Sequence, residues 1–219
     1  MGVPVLVIGE SGSGKTRSLK NFTKEELGII TVAGKPLPFK SDIKSINVNK
    51  LSLQKRMDRY ALIKHVIKGN CEKVKSFAID DTQYLMAFES FDKANEKGFE
   101  KFTNMAVSFQ KLIRFVTDEL PDDVIVYFLH HTEMNEIGRY KAKTIGKMLD
   151  NQLTIEGLFT IVLLCECNEN KHYFITQSQG ISTAKSPEDM LPLEMENDLR
   201  IVDQAIREYW NLGGEEDAD

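Results

Sequence analysis

The sequence predicts an α/β fold in three layers, with helices on both faces of a mainly parallel central sheet. Two observations support this prediction. Short, nearly continuous apolar segments, typical of strands buried on both faces, alternate with longer segments whose apolar residues recur at helical spacing. The 219 residues, of which 42% are hydrophobic, are enough for one sizeable core. We therefore expect one domain over residues 1–212.

The first third of the chain begins with an apolar strand at 3–8, followed by a glycine-rich loop. We expect a helix to begin near Gly14, after that loop. Weaker strands are expected at 28–32 and 43–48. Apolar residues spaced by three and four then predict a single helix between 53 and 67.

The middle of the chain continues the alternation of strands and helices. A buried strand is expected at 77–79, a helix at 102–116 and another strand at 124–129. A polar, basic loop should follow at 133–143. It leads to an expected helix at 145–153.

The C-terminal part of the chain predicts two strands, at 159–164 and 172–176, which should pair as a hairpin. Asp198 is expected to cap a final helix. The small, acidic residues at 213–219 predict a disordered tail.

Charge and cysteine content narrow the functional classes. A formal net charge of −5 argues against a protein coated in positive charge, although a local basic loop can still bind nucleic acid. Three cysteines are too few for a disulfide framework, so we expect a reducing, cytoplasmic location. No segment approaches the roughly 18 apolar residues of a membrane helix, and no membrane partner is expected.

The glycine-rich loop has the Walker A spacing and stands directly after a buried strand. Its glycines let the backbone fold into a cradle whose N–H groups point at phosphate oxygens. We predict that the loop binds ATP, that Lys15 reaches the β- and γ-phosphates as a catalytic residue, and that Thr16 coordinates Mg²⁺. The predicted binding residues are Gly9, Glu10, Ser11, Gly12, Ser13, Gly14, Lys15 and Thr16.

Two acidic residues end the expected strand at 77–79. Asp80 has the Walker B position and is predicted to hold the Mg²⁺ shell. Asp81 is the candidate for the base that polarises the attacking water. The alternative is that Asp80, Asp81 and Thr82 only cap the following helix. The long separation between Lys15 and Asp80 leaves room for an extra strand and helix, which favours an ATPase over a small-molecule kinase.

A histidine pair follows the strand expected at 124–129. In the additional-strand division of P-loop proteins, the strand after the Walker B strand is inserted beside the P-loop strand and presents a polar residue to the γ-phosphate. His131 fits that sensor position. The alternative is a histidine that only hydrogen-bonds a carbonyl at the strand end.

The order of these motifs resembles that of RecA-like core ATPases, and more closely the short phage-encoded RecA-core proteins grouped with single-strand annealing recombinases. The motifs that support this are GESGSGKT at 9–16, FAIDD at 77–81, VYFLHHTE at 126–133 and KTIGKMLDNQLTIEGLFTIVL at 143–163. The resemblance implies a RecA-like fold, ATP-dependent binding to single-stranded DNA and homo-oligomers with nucleotide at subunit interfaces. It also implies a role in phage recombination or replication in the host cytoplasm, with a single-strand-binding protein as a candidate partner.

One departure from the RecA pattern is that no glutamate follows the expected strand at 28–32. This leaves the catalytic base open and predicts slow hydrolysis. In RecA-like proteins the loop after the sensor strand contacts DNA, and here Arg139, Lys141 and Lys143 supply charge. Lys141, Lys143 and Lys185 could instead reach the γ-phosphate of a neighbouring subunit. A solvated basic loop is the third interpretation.

Two other functions fit the motifs. The first is a P-loop ATPase that acts on a protein partner, such as a helicase loader or a packaging-type motor. The second is a nucleotide kinase, which should carry an arginine-rich lid over the donor phosphates. Arg139 alone is a poor lid, so the kinase is the weaker alternative.

Overall fold

The computed structural model describes residues 1–145 and 154–214, which contribute their strands to a nine-stranded sheet. The strands are β1 (Val3–Gly9), β2 (Leu27–Thr31), β3 (Ile46–Asn47), β4 (Ser76–Asp80), β5 (Ile125–Met134), β6 (Tyr140–Ala142), β7 (Ile161–Asn168), β8 (Lys171–Ile175) and β9 (Glu194–Glu196). The α-helices of the described ranges are α1 (Val48–Lys55), α2 (Arg59–Lys68), α3 (Gln83–Asp92), α4 (Glu100–Glu119) and α5 (Leu199–Tyr209). Two 3-10 turns lie at Thr16–Leu19 and Ile155–Leu158.

The sheet is mainly parallel, and eight of its strands follow the order β3-β2-β4-β5-β1-β7-β8-β9, while β6 pairs with β5. The first six are mutually parallel, whereas β8 and β9 are antiparallel additions at the far edge. The expected C-terminal hairpin is confirmed by the pairing of β7 with β8. Strand β5 lies between β1 and β4, as the sequence predicted, so the carboxyl ends of these three strands lie side by side.

Alternate residues of the central strands pack into two separate cores. In β1, Leu6 and Ile8 face a core built with α2, α3 and α4, while Val5 and Val7 face a second core built with α5. Side chains of a strand alternate between faces, so a strand covered on both faces is apolar throughout. This arrangement is the expected three-layer α/β architecture. No helix within 1–145 and 154–214 has the length and apolar character to span a membrane.

The segment after the glycine-rich loop differs from the prediction. Instead of an α-helix beginning near Gly14, it forms the single 3-10 turn Thr16–Leu19. Leu19 and Phe22 are both buried in the core that α5 covers. The side chain of Asn21 also donates a hydrogen bond to Asp198, the N-cap of α5. Helix α5 thus covers the sheet beside this turn, and the chain turns back toward β2.

The stretch from 43 to 68 also differs from the prediction. The strand expected at 43–48 is reduced to the two residues of β3, because the Asn47 side chain accepts a hydrogen bond from Lys50 N and so caps α1. The single helix expected between 53 and 67 is two helices. Arg56 has a positive φ of 52° and ends α1, and Asp58 caps α2.

The basic loop expected at 133–143 is a β-hairpin, because β5 continues to Met134 and pairs with β6. A turn closed by Asn135 N donating to Arg139 O at 2.9 Å connects the two strands. The expected helix at 102–116 and the Asp198 cap of the last helix are confirmed. Residues 146–153 of the expected helix and 215–219 of the expected tail lie outside the described residues.

A buried carboxylate ties α5 to the sheet at the end opposite the loop. Asp203 accepts hydrogen bonds from Ser76 Oγ at 2.5 Å, from Tyr127 OH at 2.9 Å and from Arg207 Nε at 2.6 Å. We expect Asp203→Ala to lower the free energy of unfolding by about 2–4 kcal/mol, because it leaves these donors without their acceptor. Urea denaturation measures this, with the exposed Gln204→Ala as control. Equal effects of the two substitutions would contradict the prediction.

Candidate functional site

A pocket lies where β1, β4 and β5 end, and five parts of the chain line it. These are the glycine-rich loop, the segment after β2, the acidic pair at the end of β4, a histidine on β5 and a histidine on β8. The lining residues are Ser11, Gly12, Gly14, Lys15, Thr16, Arg17, Lys35, Pro36, Pro38, Asp80, Asp81, His131 and His172. Ligands of open α/β sheets bind in such crevices at the carboxyl ends of strands.

The loop folds around the ammonium group of Lys15. Its Nζ donates hydrogen bonds to Gly9 O at 2.7 Å and to Glu10 O at 2.8 Å. Burial lowers the pKa of Lys15, and the nearby carboxylates act in the opposite direction. Gly12 and Gly14 have φ values of 83° and 108°, a region that suits glycine. The loop therefore holds a buried cation in a backbone turn.

Thr16 and Asp80 meet at the floor of the pocket. Thr16 Oγ1 donates to the Asp80 carboxylate, at 3.0 Å from one oxygen and 3.2 Å from the other. Burial, together with the negative charge of Asp81, raises the pKa of Asp80 to about 6. The two residues predicted to hold Mg²⁺ are thus in contact although they are far apart in the sequence.

Asp81 has an unusual backbone and two cationic or polar partners. Its φ is 63°, the left-handed region that costs non-glycine residues conformational energy. Lys35 Nζ lies 2.7 Å from one carboxylate oxygen, and His131 Nε2 lies 3.1 Å from the other. Burial acts to raise the pKa of Asp81, but the hydrogen bonds from His131 and Lys35 outweigh it and lower the pKa. Asp81 is therefore an ionised, oriented carboxylate.

The two adjacent histidines have different surroundings. His130 is fully buried, with one ring nitrogen 2.7 Å from Thr82 Oγ1 and the other 2.7 Å from Lys143 O. Burial lowers the pKa of His130 to about 4, so it is neutral at physiological pH. The carbonyl-bonding alternative therefore describes His130. His131 points to the pocket and contacts Asp81.

Residues that the sequence did not predict contact the backbone of the glycine-rich loop. Ser13 O accepts hydrogen bonds from His172 Nδ1 at 2.7 Å and from Cys165 Sγ at 3.2 Å. Asn197 Nδ2 in turn lies 3.2 Å from that sulfur. A Cβ on Gly14 would lie 2.7 Å from His172 Nδ1, so the loop and the histidine are in close contact. No spacing in the sequence indicates these contacts, because they depend on the pairing of β7 with β1 and on the addition of β8 and β9 to the sheet.

Lys35 is the other residue that sequence reasoning missed. It follows β2, whose last residue, Thr31, is paired with Asp80. The only local signal is the Gly34-Lys35-Pro36 break after a strand. The contact with Asp81 arises because neighbouring parallel strands end at the same edge of the sheet.

The predicted basic residues occupy two places. Arg139, Lys141 and Lys143 belong to the β5–β6 hairpin or directly follow it, and Lys141 Nζ lies 3.1 Å from Glu133. Lys143 N donates to His131 O at 2.8 Å. Lys185 instead pairs through its backbone with Val162 and lines no part of the pocket described above.

Within the described ranges, no group of three or more His, Cys, Asp or Glu side chains is arranged to hold a metal ion. A cation at Thr16 and Asp80 would therefore need further oxygen ligands. Mg²⁺ is commonly bound in this way, by one or two protein ligands together with substrate phosphates and water.

Comparison of the chain with models of protein families finds no match, and comparison with curated proteins finds no matching relative. The function proposed below therefore depends on the geometry of the site and on its motifs.

The raised pKa of Asp80 predicts that replacing this residue by asparagine, its neutral analogue, stabilises the protein in a pH-dependent way. The folded protein holds the Asp80 proton more tightly than the unfolded chain does, so ionisation of Asp80 lowers the free energy of unfolding. This loss is complete above about pH 6 and absent below about pH 4. In metal-free buffer, Asp80→Asn should raise the free energy of unfolding at pH 8 by up to roughly 3 kcal/mol. Thermal melts at pH 8 and pH 4, with the exposed Asp42→Asn as control, measure this. An Asp80→Asn gain that is the same at both pH values would contradict it.

Proposed function

We propose that this chain is a P-loop ATPase with a RecA-like core that binds Mg-ATP, hydrolyses it slowly and binds single-stranded DNA in phage recombination or replication. The observation that carries the ATP part is the convergence of Lys15, Thr16, Asp80, Asp81 and His131 on one pocket at the carboxyl edge of the sheet. Each of these side chains has the chemistry that a triphosphate and its metal need.

The residues at the floor of the pocket fit Mg²⁺. The Thr16 hydroxyl and the Asp80 carboxylate share a hydrogen bond of 3.0 Å, so both oxygen ligands for a magnesium ion lie at one place. Bound there with ATP, Mg²⁺ would neutralise negative charge on the phosphate oxygens. Lys15 would supply positive charge to the β- and γ-phosphates from the loop.

Asp81 is the best-placed base for hydrolysis. It would accept a proton from water as the water oxygen bonds to the γ-phosphorus and the bond from that phosphorus to the β–γ bridging oxygen breaks, releasing ADP and phosphate. His131 would hold the carboxylate in position through its 3.1 Å contact. Since the pKa of Asp81 is lowered, it is a weak base, which supports the expectation of slow turnover.

The DNA part of the proposal is supported by the β5–β6 hairpin. Arg139, Lys141 and Lys143 bring positive charge to the extension of the strand that carries His131, and Tyr140 offers a partly exposed ring. Basic residues interleaved with an aromatic ring suit a single strand. The bond from Lys143 N to His131 O connects this hairpin to the pocket, which gives a route by which nucleotide would affect DNA binding.

A P-loop ATPase that acts on a protein is the second candidate. Phe91 and Phe99 flank the connection from α3 to α4 and are 75% and 87% exposed. Exposed apolar patches mark protein–protein contacts, and aromatic residues are enriched in such interfaces. A helicase loader or a self-associating ATPase would use such residues.

Nucleotide binding and hydrolysis separate the roles of Lys15 and Asp81. Lys15→Ala should weaken Mg-ATP binding at least tenfold, because it removes the buried cation of the loop, whereas Asp81→Asn should not weaken binding and should lower the hydrolysis rate at least tenfold. Calorimetric titration with ATP and a phosphate-release assay measure the two effects. Undiminished turnover by Asp81→Asn would exclude this residue as the base.

Fluorescence anisotropy of a labelled single-stranded oligonucleotide tests the DNA part. We expect binding with ATP and Mg²⁺ that weakens with salt, and a several-fold weaker affinity for the Lys141→Ala/Lys143→Ala double variant. Lys111→Ala, an exposed lysine on α4, is the matched control. Absence of DNA binding in every nucleotide state, with ATP binding intact, would exclude the DNA role and favour the protein-acting ATPase.

A further inference from the structure

Lys35 is a cation at the mouth of the pocket that no Walker motif accounts for. Its Nζ lies 2.7 Å from Asp81 and 5.4 Å from the centre of the Tyr84 ring. The Lys35 side chain is 61% exposed, whereas that of Asp81 is only 10% exposed. The hydrogen bond to Asp81 raises the pKa of Lys35, so it is fully charged at neutral pH. The long, exposed side chain of Lys35 therefore places its charge beside a buried carboxylate.

The backbone that carries Lys35 is fixed although its side chain is exposed. Gly34 has a φ of 69°, and a Cβ at that position would collide with Asn47 Nδ2, so this turn packs closely on the cap of α1. Asn49 Nδ2 donates to Val32 O at 2.7 Å and holds the same turn. Pro36 restricts the backbone of the residue before it, which is Lys35. The ammonium group can therefore move only by rotations within the Lys35 side chain.

The anionic groups around this ammonium are Asp81, which contacts it, and Asp80, which lowers the energy of its charged form from farther away. The pocket has two other cations: Lys15 is held by the carbonyls of the loop, and Arg17 Nη1 lies 3.4 Å from Asn197 Oδ1. In the proposed binding mode, a γ-phosphate would enter between the loop and Asp81 and would place up to two further negative charges there. An ammonium group has three donors and can contact both a phosphate and a carboxylate.

We propose that Lys35 recognises the γ-phosphate: it pairs with Asp81 in the nucleotide-free protein and transfers to the terminal phosphate of a bound triphosphate. This inference rests on the proposed function, because it assigns the discrimination between ATP and ADP to the same site. ADP ends at the β-phosphate, within the loop, and gives Lys35 no new partner. When ATP is bound, Asp81 loses one of its two hydrogen bonds and becomes available to the attacking water.

The test compares Lys35→Met with wild type in titrations with a non-hydrolysable ATP analogue and with ADP, each with Mg²⁺. The methionine keeps most of the length of the chain and removes the charge. We expect the affinity for the ATP analogue to fall at least tenfold and the affinity for ADP to change less than twofold. Lys35→Arg should keep most of the preference for the triphosphate. Lys40→Met, an exposed lysine in the same connection, should resemble wild type.

The outcomes separate this inference from the proposed function. If wild type prefers the ATP analogue and Lys35→Met keeps that preference, or loses affinity for both nucleotides equally, the assignment of Lys35 is wrong and the ATPase proposal stands. If wild type binds neither nucleotide, both proposals are wrong. A double variant, Lys35→Met/Asp81→Asn, provides a second measurement. Because Asp81 competes for the ammonium, Asp81→Asn alone should tighten binding of the ATP analogue, and this gain should disappear in the double variant.

Discussion

The candidate site depends on the parallel pairing of β5 with both β1 and β4. The register sets Gly9 beside His131 and Ile79 beside Phe128, so the three strands end at one edge of the sheet. Successive side chains of a strand point to opposite faces, and a slip of one residue would turn His131 and Asp80 away from the pocket. The two apolar cores prevent such a slip, because it would move their buried side chains to the opposite face of the sheet.

The same edge concentrates charges that are costly to bury. Asp80 and Asp81 are adjacent, and the pKa of Asp80 is raised while that of Asp81 is lowered, because only Asp81 is in contact with Lys35 and His131. The positive φ of Asp81 adds a conformational cost. Strain and unbalanced charge persist in a folded protein where surrounding structure enforces them. Here the enforcing structure is the pairing of β4 between β2 and β5.

Strands β7 and β8 hold the glycine-rich loop, which is followed by only a short turn. A long helix would supply backbone dipoles at this position, and the four-residue turn Thr16–Leu19 supplies little of this. Contacts from His172 and Cys165 to Ser13 O hold the loop instead. The C-terminal part of the chain is therefore part of the construction of the pocket, although it is the farthest from the loop in sequence.

By itself the sequence determined the layered α/β class, the strand before the glycine-rich loop, the acidic pair after β4 and the inserted position of β5, because these depend on local apolar patterns and on the order of motifs. Only the tertiary structure decided which cation contacts Asp81, that the histidine bonded to a carbonyl is His130, and that the basic loop is a hairpin. Such contacts join residues from distant segments, as Lys35 and Asp81 show, and their geometry follows from the register of the paired strands and from side-chain packing, which no local pattern encodes.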